Sequence, residues 1–146
     1  MMGIPGSGKS HYVEENLKDF LLLDCDKIKE TLPGYNPLNP AIVHQESKRL
    51  LEIEFKRAIQ RDQSFILDGT GTNTDKLLYR IDKAKEQGFY IVLIYIKVNL
   101  ETALRRNKTR ERRVSEEIIR EKHKLIEYSY RAILPFVNEG RLVNND

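Results

Sequence analysis

Near its start the chain reads Gly3-Ile4-Pro5-Gly6-Ser7-Gly8-Lys9-Ser10, and no other stretch constrains the fold as tightly. The run fits the spacing G-x-x-x-x-G-K-[ST], in which glycines let the backbone curl until successive N–H groups converge on one point. Such a nest of amides, opening into a helix whose N-terminal end is positive, suits phosphate oxygens. Lys9 is placed to reach the β- and γ-phosphates of a nucleoside triphosphate, and the Ser10 hydroxyl to help hold Mg²⁺. The binding segment as a whole is Gly3, Pro5, Gly6, Ser7, Gly8, Lys9, Ser10 and His11. A loop of this kind normally follows a buried strand. Only Met1 and Met2 precede Gly3 here, so the expectation is either a leading strand that is missing or very short, or a true start that lies upstream.

Downstream, short apolar runs alternate with helical patterns, the signature of a parallel α/β sheet flanked by helices. Residues 20–24, 64–68 and 89–98 read as buried strands, and 141–144 as a last short one. Helices are predicted over 10–19, 26–32, 41–61, 75–87, 99–108 and 115–137, with Gly88 as a stop after the fourth. The stretch PGYNPLNP is dense in turn residues and reads as a loop. The expectation is one three-layer α/β domain over residues 1–146.

Composition narrows the setting. Hydrophobic residues make up 40% and charged residues 32%, as in a soluble globular chain rather than a disordered one. No apolar run approaches the roughly 20 residues of a membrane helix. The single Cys25 excludes an internal disulfide, and no Cys/His spacing suggests zinc, which points to a reducing cytoplasm. The net charge of +3 is unevenly spread: Lys97 to Arg131 carries eleven Lys/Arg against six acids. A basic segment beside a phosphate loop suggests anionic ligands.

Phosphoryl transfer requires a metal ion, a group that orients or deprotonates the acceptor, and positive charge around the migrating phosphoryl. Parallel α/β sheets bring ligands to the carboxyl ends of their strands. Asp24-Cys25-Asp26 closes one predicted strand and Asp68-Gly69-Thr70-Gly71 another, the glycines letting a substrate approach the backbone. The competing role for Asp26 is to cap the helix that follows. In Arg105-Arg106-Asn107-Lys108-Thr109-Arg110-Glu111-Arg112-Arg113 such dense arginine repels itself unless an anion arrives. Arg106 and Arg110 lie one helical turn apart and share a face, whereas Arg105 and Arg112 are left to solvent.

These motifs, in this order, resemble those of the zeta-toxin-type P-loop kinases, within a wider group that includes the kinase domain of phage polynucleotide kinase. The likeness runs almost end to end. LLLDCDKIK resembles the pattern Asp-x-Asp-x-(apolar)-Lys, whose second Asp is the catalytic base; the resemblance puts that role on Asp26 and a substrate role on Lys29. VHQES resembles the helix segment around a substrate-binding Glu, here Glu46. ILDGTGTNTD is similar to a motif whose acid and Thr contact substrate, here Asp68 and Thr70. LRRNKTRERRV resembles the lid, about residues 105–114, with lid arginines at Arg106 and Arg110. The chain departs in having His11 where Thr is usual and Ser115 where Pro is common, and it is much shorter than a typical zeta toxin.

The resemblance implies a P-loop NTPase fold and a kinase using ATP or GTP with Mg²⁺. Lys9, Asp26, Arg106 and Arg110 would be catalytic, and Ser10 would hold the metal with support from Asp24 or Asp68. The acceptor would be a hydroxyl on a small nucleotide or sugar nucleotide. The alternatives are a polynucleotide 5′-hydroxyl kinase, with nucleic acid as partner, and a nucleotide-binding module without turnover.

Overall fold

The computed structural model describes residues 1–146. Its frame is two parallel ladders. β1 (Leu21–Asp24) pairs with β2 (Phe65–Asp68), and β3 (Val92–Lys97) pairs with β4 (Glu139–Asn144). Between them runs the start of the chain. Met2 forms parallel bridges to Gly69 on one side and Tyr95 on the other. Its N–H donates to Ile94 O at 2.8 Å and its carbonyl accepts from Ile96 N at 2.9 Å, while Gly69 N reaches Met1 O at 3.3 Å. The order is therefore β1–β2–Met2–β3–β4. The expected short leading strand is present in miniature, joining the halves at the ends that carry the site.

The helices follow from apolar faces and local caps. α1 (Lys9–Asn16) begins directly after Gly8, whose φ of 94° lies in the left-handed region. α2 (Cys25–Glu30) is capped by Asp24, whose carboxylate accepts from Asp26 N at 2.9 Å. The capping role thus falls to Asp24, and the Asp26 side chain is left for other work. α3 (His44–Gln60) is preceded by a 3-10 turn at Pro40–Val43, so this helix starts later than its apolar spacing suggests. Asn73 and Asn99 cap α4 (Thr74–Glu86) and α5 (Leu100–Lys108). Ser115 caps α6 (Glu116–Ile133), accepting from Ile118 N. Pro135 has no N–H to continue α6, which tightens into a 3-10 turn at Leu134–Phe136.

The larger core lies where α4, α5 and α6 cover β3. It includes Met2, Ile81, Tyr95, Ala103, Ile119, Ile126 and Ile133. A smaller core forms between β1 and α3 from Leu23, Leu51 and Phe55. Parallel strands flanked by helices match the expected architecture. No helix is long and apolar enough to cross a membrane.

Candidate functional site

The site gathers at the carboxyl ends of β1 and β2, beside the loop that leaves Met2. Gly6 and Gly8 both hold positive φ, 84° and 94°, which fixes the curl of that loop. A Cβ on Gly3 would fall 2.5 Å from Ser7 Oγ, so glycine is required there for space as well. Ser7 is fully buried and its Oγ has no hydrogen-bond partner. Pro5 is half-buried, whereas Ser10 is exposed at the start of α1. Lys9 folds over the loop, Nζ donating to Gly3 O at 2.7 Å. Burial pulls its pKa down, opposed by the nearby carboxylates of Asp68 and Asp24. His11 lies on the outer side of α1, 3.0 Å from Glu15, and no contact ties it to the loop.

Three carboxylates face Lys9, each in a different state. Asp68 is buried, and burial, with Asp24 and Asp26 close by, pushes its pKa up to about 6 against the pull of Lys9. Its Oδ1 has no hydrogen-bond partner. Burial likewise raises Asp24, opposed by its hydrogen bond from Asp26 N. Asp26 differs. Burial alone would raise it, but Arg112 outweighs that and holds it below the usual carboxylate range. The ion pair is close, Arg112 Nη2 to Asp26 Oδ2 at 2.7 Å.

That pair corrects the expectation that Arg112 is solvated: its side chain is only 17% exposed. Loop 109–114 turns it inward because Asn107 clips both ends of the loop together. Asn107 Nδ2 donates to Val114 O at 2.7 Å, and Val114 N returns a bond to Asn107 Oδ1 at 3.0 Å. Arg110 is half-buried near Lys9. Arg106 lies against the phosphate loop, Nη1 donating to Gly6 O at 3.2 Å and Asn145 O at 2.9 Å. Asn145 in turn donates to Ser7 O at 2.7 Å, so the residue after β4 braces the loop.

On the opposite side of Asp26, Lys29 is buried with Nζ 3.9 Å from Oδ1. Thr70 Oγ1 accepts from Lys122 Nζ, reaching in from α6, at 3.1 Å. Glu46 is not drawn into this cluster; its carboxylate is exposed and held by Arg49 on its own helix. Gly69 is open, as a substrate approach requires, but Gly71 is not: a Cβ there would lie 2.6 Å from Met2 Cβ.

Three residues escaped the sequence reading. Asn107 left one trace, a polar residue four positions after Ala103 on the buried face of α5. Lys122 and Asn145 left none, being a lysine on a charged helix and an asparagine after the last strand.

The donor set suits a hard divalent cation. Ser10 offers a hydroxyl, Asp24 and Asp68 offer carboxylate oxygens, and one oxygen of Asp68 is buried without a partner. No three Asp, Glu, His or Cys side chains converge as a complete cage. Mg²⁺ keeps waters and takes substrate phosphate oxygens alongside one or two carboxylates, so Ser10 with Asp24 or Asp68 would be able to hold it.

A family model described as AAA domain matches residues 1–133. The L-seryl-tRNA(Sec) kinase of Methanococcus maripaludis is 27% identical over 128 residues, covering 82% of this chain and 48% of that protein. The chain thus spans about half the length of that protein.

Proposed function

Since the chain belongs to the AAA domain family, we propose that it is a P-loop kinase of the zeta-toxin type, moving the γ-phosphate of ATP or GTP to a hydroxyl of a small nucleotide or sugar nucleotide. The observation that carries this reading is the state of Asp26. It stands in the first turn of α2, just past the end of β1, within electrostatic reach of Lys9, and Arg112 keeps it ionised. An ionised carboxylate beside a phosphate loop is what accepting a hydroxyl proton demands.

The roles follow from the contacts. The loop amides and Lys9 hold the triphosphate, and Arg106 and Arg110 lie over its side of the site. Arg112 occupies Asp26 Oδ2, and Oδ1 is 3.9 Å from Lys29, so Oδ1 is the oxygen left for the acceptor hydroxyl. As the acceptor oxygen bonds to the γ-phosphorus, its proton passes to Asp26 and the nucleoside diphosphate leaves. Lys9 and Arg110 neutralise charge on the transferring group. Mg²⁺, held by Ser10 with Asp24 or Asp68, would supply further charge neutralisation across the phosphates.

A second reading places the acceptor hydroxyl on nucleic acid. The basic segment from Lys97 to Arg131 favours it; the relative's name gives a serine carried on tRNA, which supports a tRNA-bearing substrate and not a hydroxyl of the nucleic acid itself.

The test offers γ-labelled ATP and Mg²⁺ with UDP-N-acetylglucosamine or a 5′-hydroxyl oligonucleotide, with Asp26→Asn as control. Label on one acceptor that falls by about 10²-fold or more in the control supports the reading and chooses the acceptor. Full transfer by Asp26→Asn would remove Asp26 as base. ATP binding without transfer or hydrolysis under any condition would favour a non-catalytic module.

A further inference from the structure

The cations of the site divide into two sets. Arg106 touches the phosphate loop, and Arg110 acts electrostatically on Lys9, so both belong with the triphosphate. Lys29, Arg112 and Lys122 lie around Asp26, where the acceptor must sit. Two of these three already have an anion: Arg112 pairs with Oδ2 at 2.7 Å, and Lys29 lies 3.9 Å from Oδ1.

Lys122 does not. α6 carries its ammonium inward to Thr70 Oγ1, a neutral acceptor, and no carboxylate comes within ion-pair distance. Two other cations of α6 pair with glutamates of the same helix, Arg120 with Glu116 and Arg131 with Glu127. The half-buried Lys122 turns its ammonium toward Thr70, just past the end of β2. Burial lowers its pKa, and Asp26 is the charge that opposes this. A cation partly stripped of water and matched only by a hydroxyl costs stability unless an anion completes it.

We propose that Lys122, with Thr70, forms an anion subsite that binds a phosphate carried by the acceptor next to the hydroxyl facing Asp26. The inference rests on the kinase reading of the same site and narrows it: neutral sugars and simple alcohols lack the group that Lys122 completes. A lysine suits this task, because a compact ammonium meets a phosphate oxygen without the fixed planar geometry of arginine.

The test fills the phosphate loop with a non-hydrolysable ATP analogue and Mg²⁺, then titrates inorganic phosphate while following lysine ammonium resonances by ¹⁵N NMR. Saturable binding should move the Lys122 signal in the wild type. Phosphate affinity should fall roughly 10-fold or more in Lys122→Gln and be largely retained in Lys122→Arg. Circular dichroism of both variants shows whether the fold is kept. If the analogue binds and Lys122 does not respond, or if Lys122→Gln binds phosphate as the wild type does, the subsite is overturned and the kinase reading stands. If the analogue itself does not bind, the kinase reading fails and this inference falls with it.

Discussion

Asp68 ends β2 and Asp26 stands in the first turn of α2 just past β1, yet the surroundings of the two carboxylates push them in opposite directions. The folded Asp68 carboxyl titrates at about 6 against an ordinary 3.8, so the native state holds its proton more tightly than the unfolded chain. The stability tied to that proton is complete below about pH 4 and is lost as pH rises through 6. Asp68→Asn keeps the shape and removes the buried charge. It should therefore be more stable than the wild type at pH 7.5, by up to about 3 kcal/mol, with the gap closing near pH 4. Thermal melts at both pH values check this, and an unchanged gap would mean that Asp68 is not held against its charge. Transfer activity should fall in the same variant, because a carboxamide is a poor ligand for Mg²⁺. Arg112 acts on Asp26 with the opposite sign. Arg112→Gln should let Asp26 rise toward its ordinary range, moving the acid limb of kcat/KM to higher pH while ATP binding persists. A pH profile matching the wild type would show that the ion pair does not tune the base. Neither environment was legible in the sequence. Both aspartates stood at or just past strand ends, as their motifs indicate, but spacing does not say which carboxylate a loop arginine meets.

At the scale of elements, the apolar runs made the strands readable, because a buried parallel strand is apolar on both faces and cannot be mistaken for a solvated helix of that length. The ends were less readable. Caps and prolines set them locally: the 3-10 turn at Pro40–Val43 delays α3, and Pro135 cuts α6 short. The lid was legible as a cluster of arginines but not as a structure. Its shape rests on Asn107, which is only 4% exposed and bonds to both the N–H and the C=O of Val114. Asn107→Leu preserves much of the volume and removes both bonds, leaving those two backbone groups unmatched. The expected loss is about 1–3 kcal/mol, felt mainly in the loop. Trypsin should then cut after Arg110, Arg112 or Arg113 sooner than in the wild type, and Arg112 should release Asp26 more often. A cleavage rate equal to that of the wild type would mean that the arginines are held by something other than this clamp.

Across the whole molecule, the sheet depends on one residue more than its size suggests. β1–β2 and β3–β4 are separate ladders, and Met2, fully buried, is the bridge that pairs with both. Its backbone bonds reach Ile94 and Ile96, while Gly3 N donates to Thr70 O at 3.2 Å. That Met2 pairs with both ladders was not legible in the sequence and follows only from seeing both neighbours bond to it. The same contact explains Gly71, read from sequence as an opening for substrate. Its φ is +82°, and a Cβ there would meet the Met2 Cβ at 2.6 Å. Gly71→Ala therefore strains the backbone and pushes on the residue that joins the halves. The two effects, about 1–2 kcal/mol for the left-handed conformation and about 1–3 kcal/mol for overpacking, predict a loss of roughly 2–5 kcal/mol. Gly69→Ala serves as the control, since nothing lies within 4 Å of a Cβ at that position. If Met2 is the joint, hydrogen exchange at the amides of Met2 and Ile96 should accelerate in Gly71→Ala well before that of β1 or β4. Uniform acceleration across all four strands would mean that the halves are held by the helices and that the bridge at Met2 only follows them.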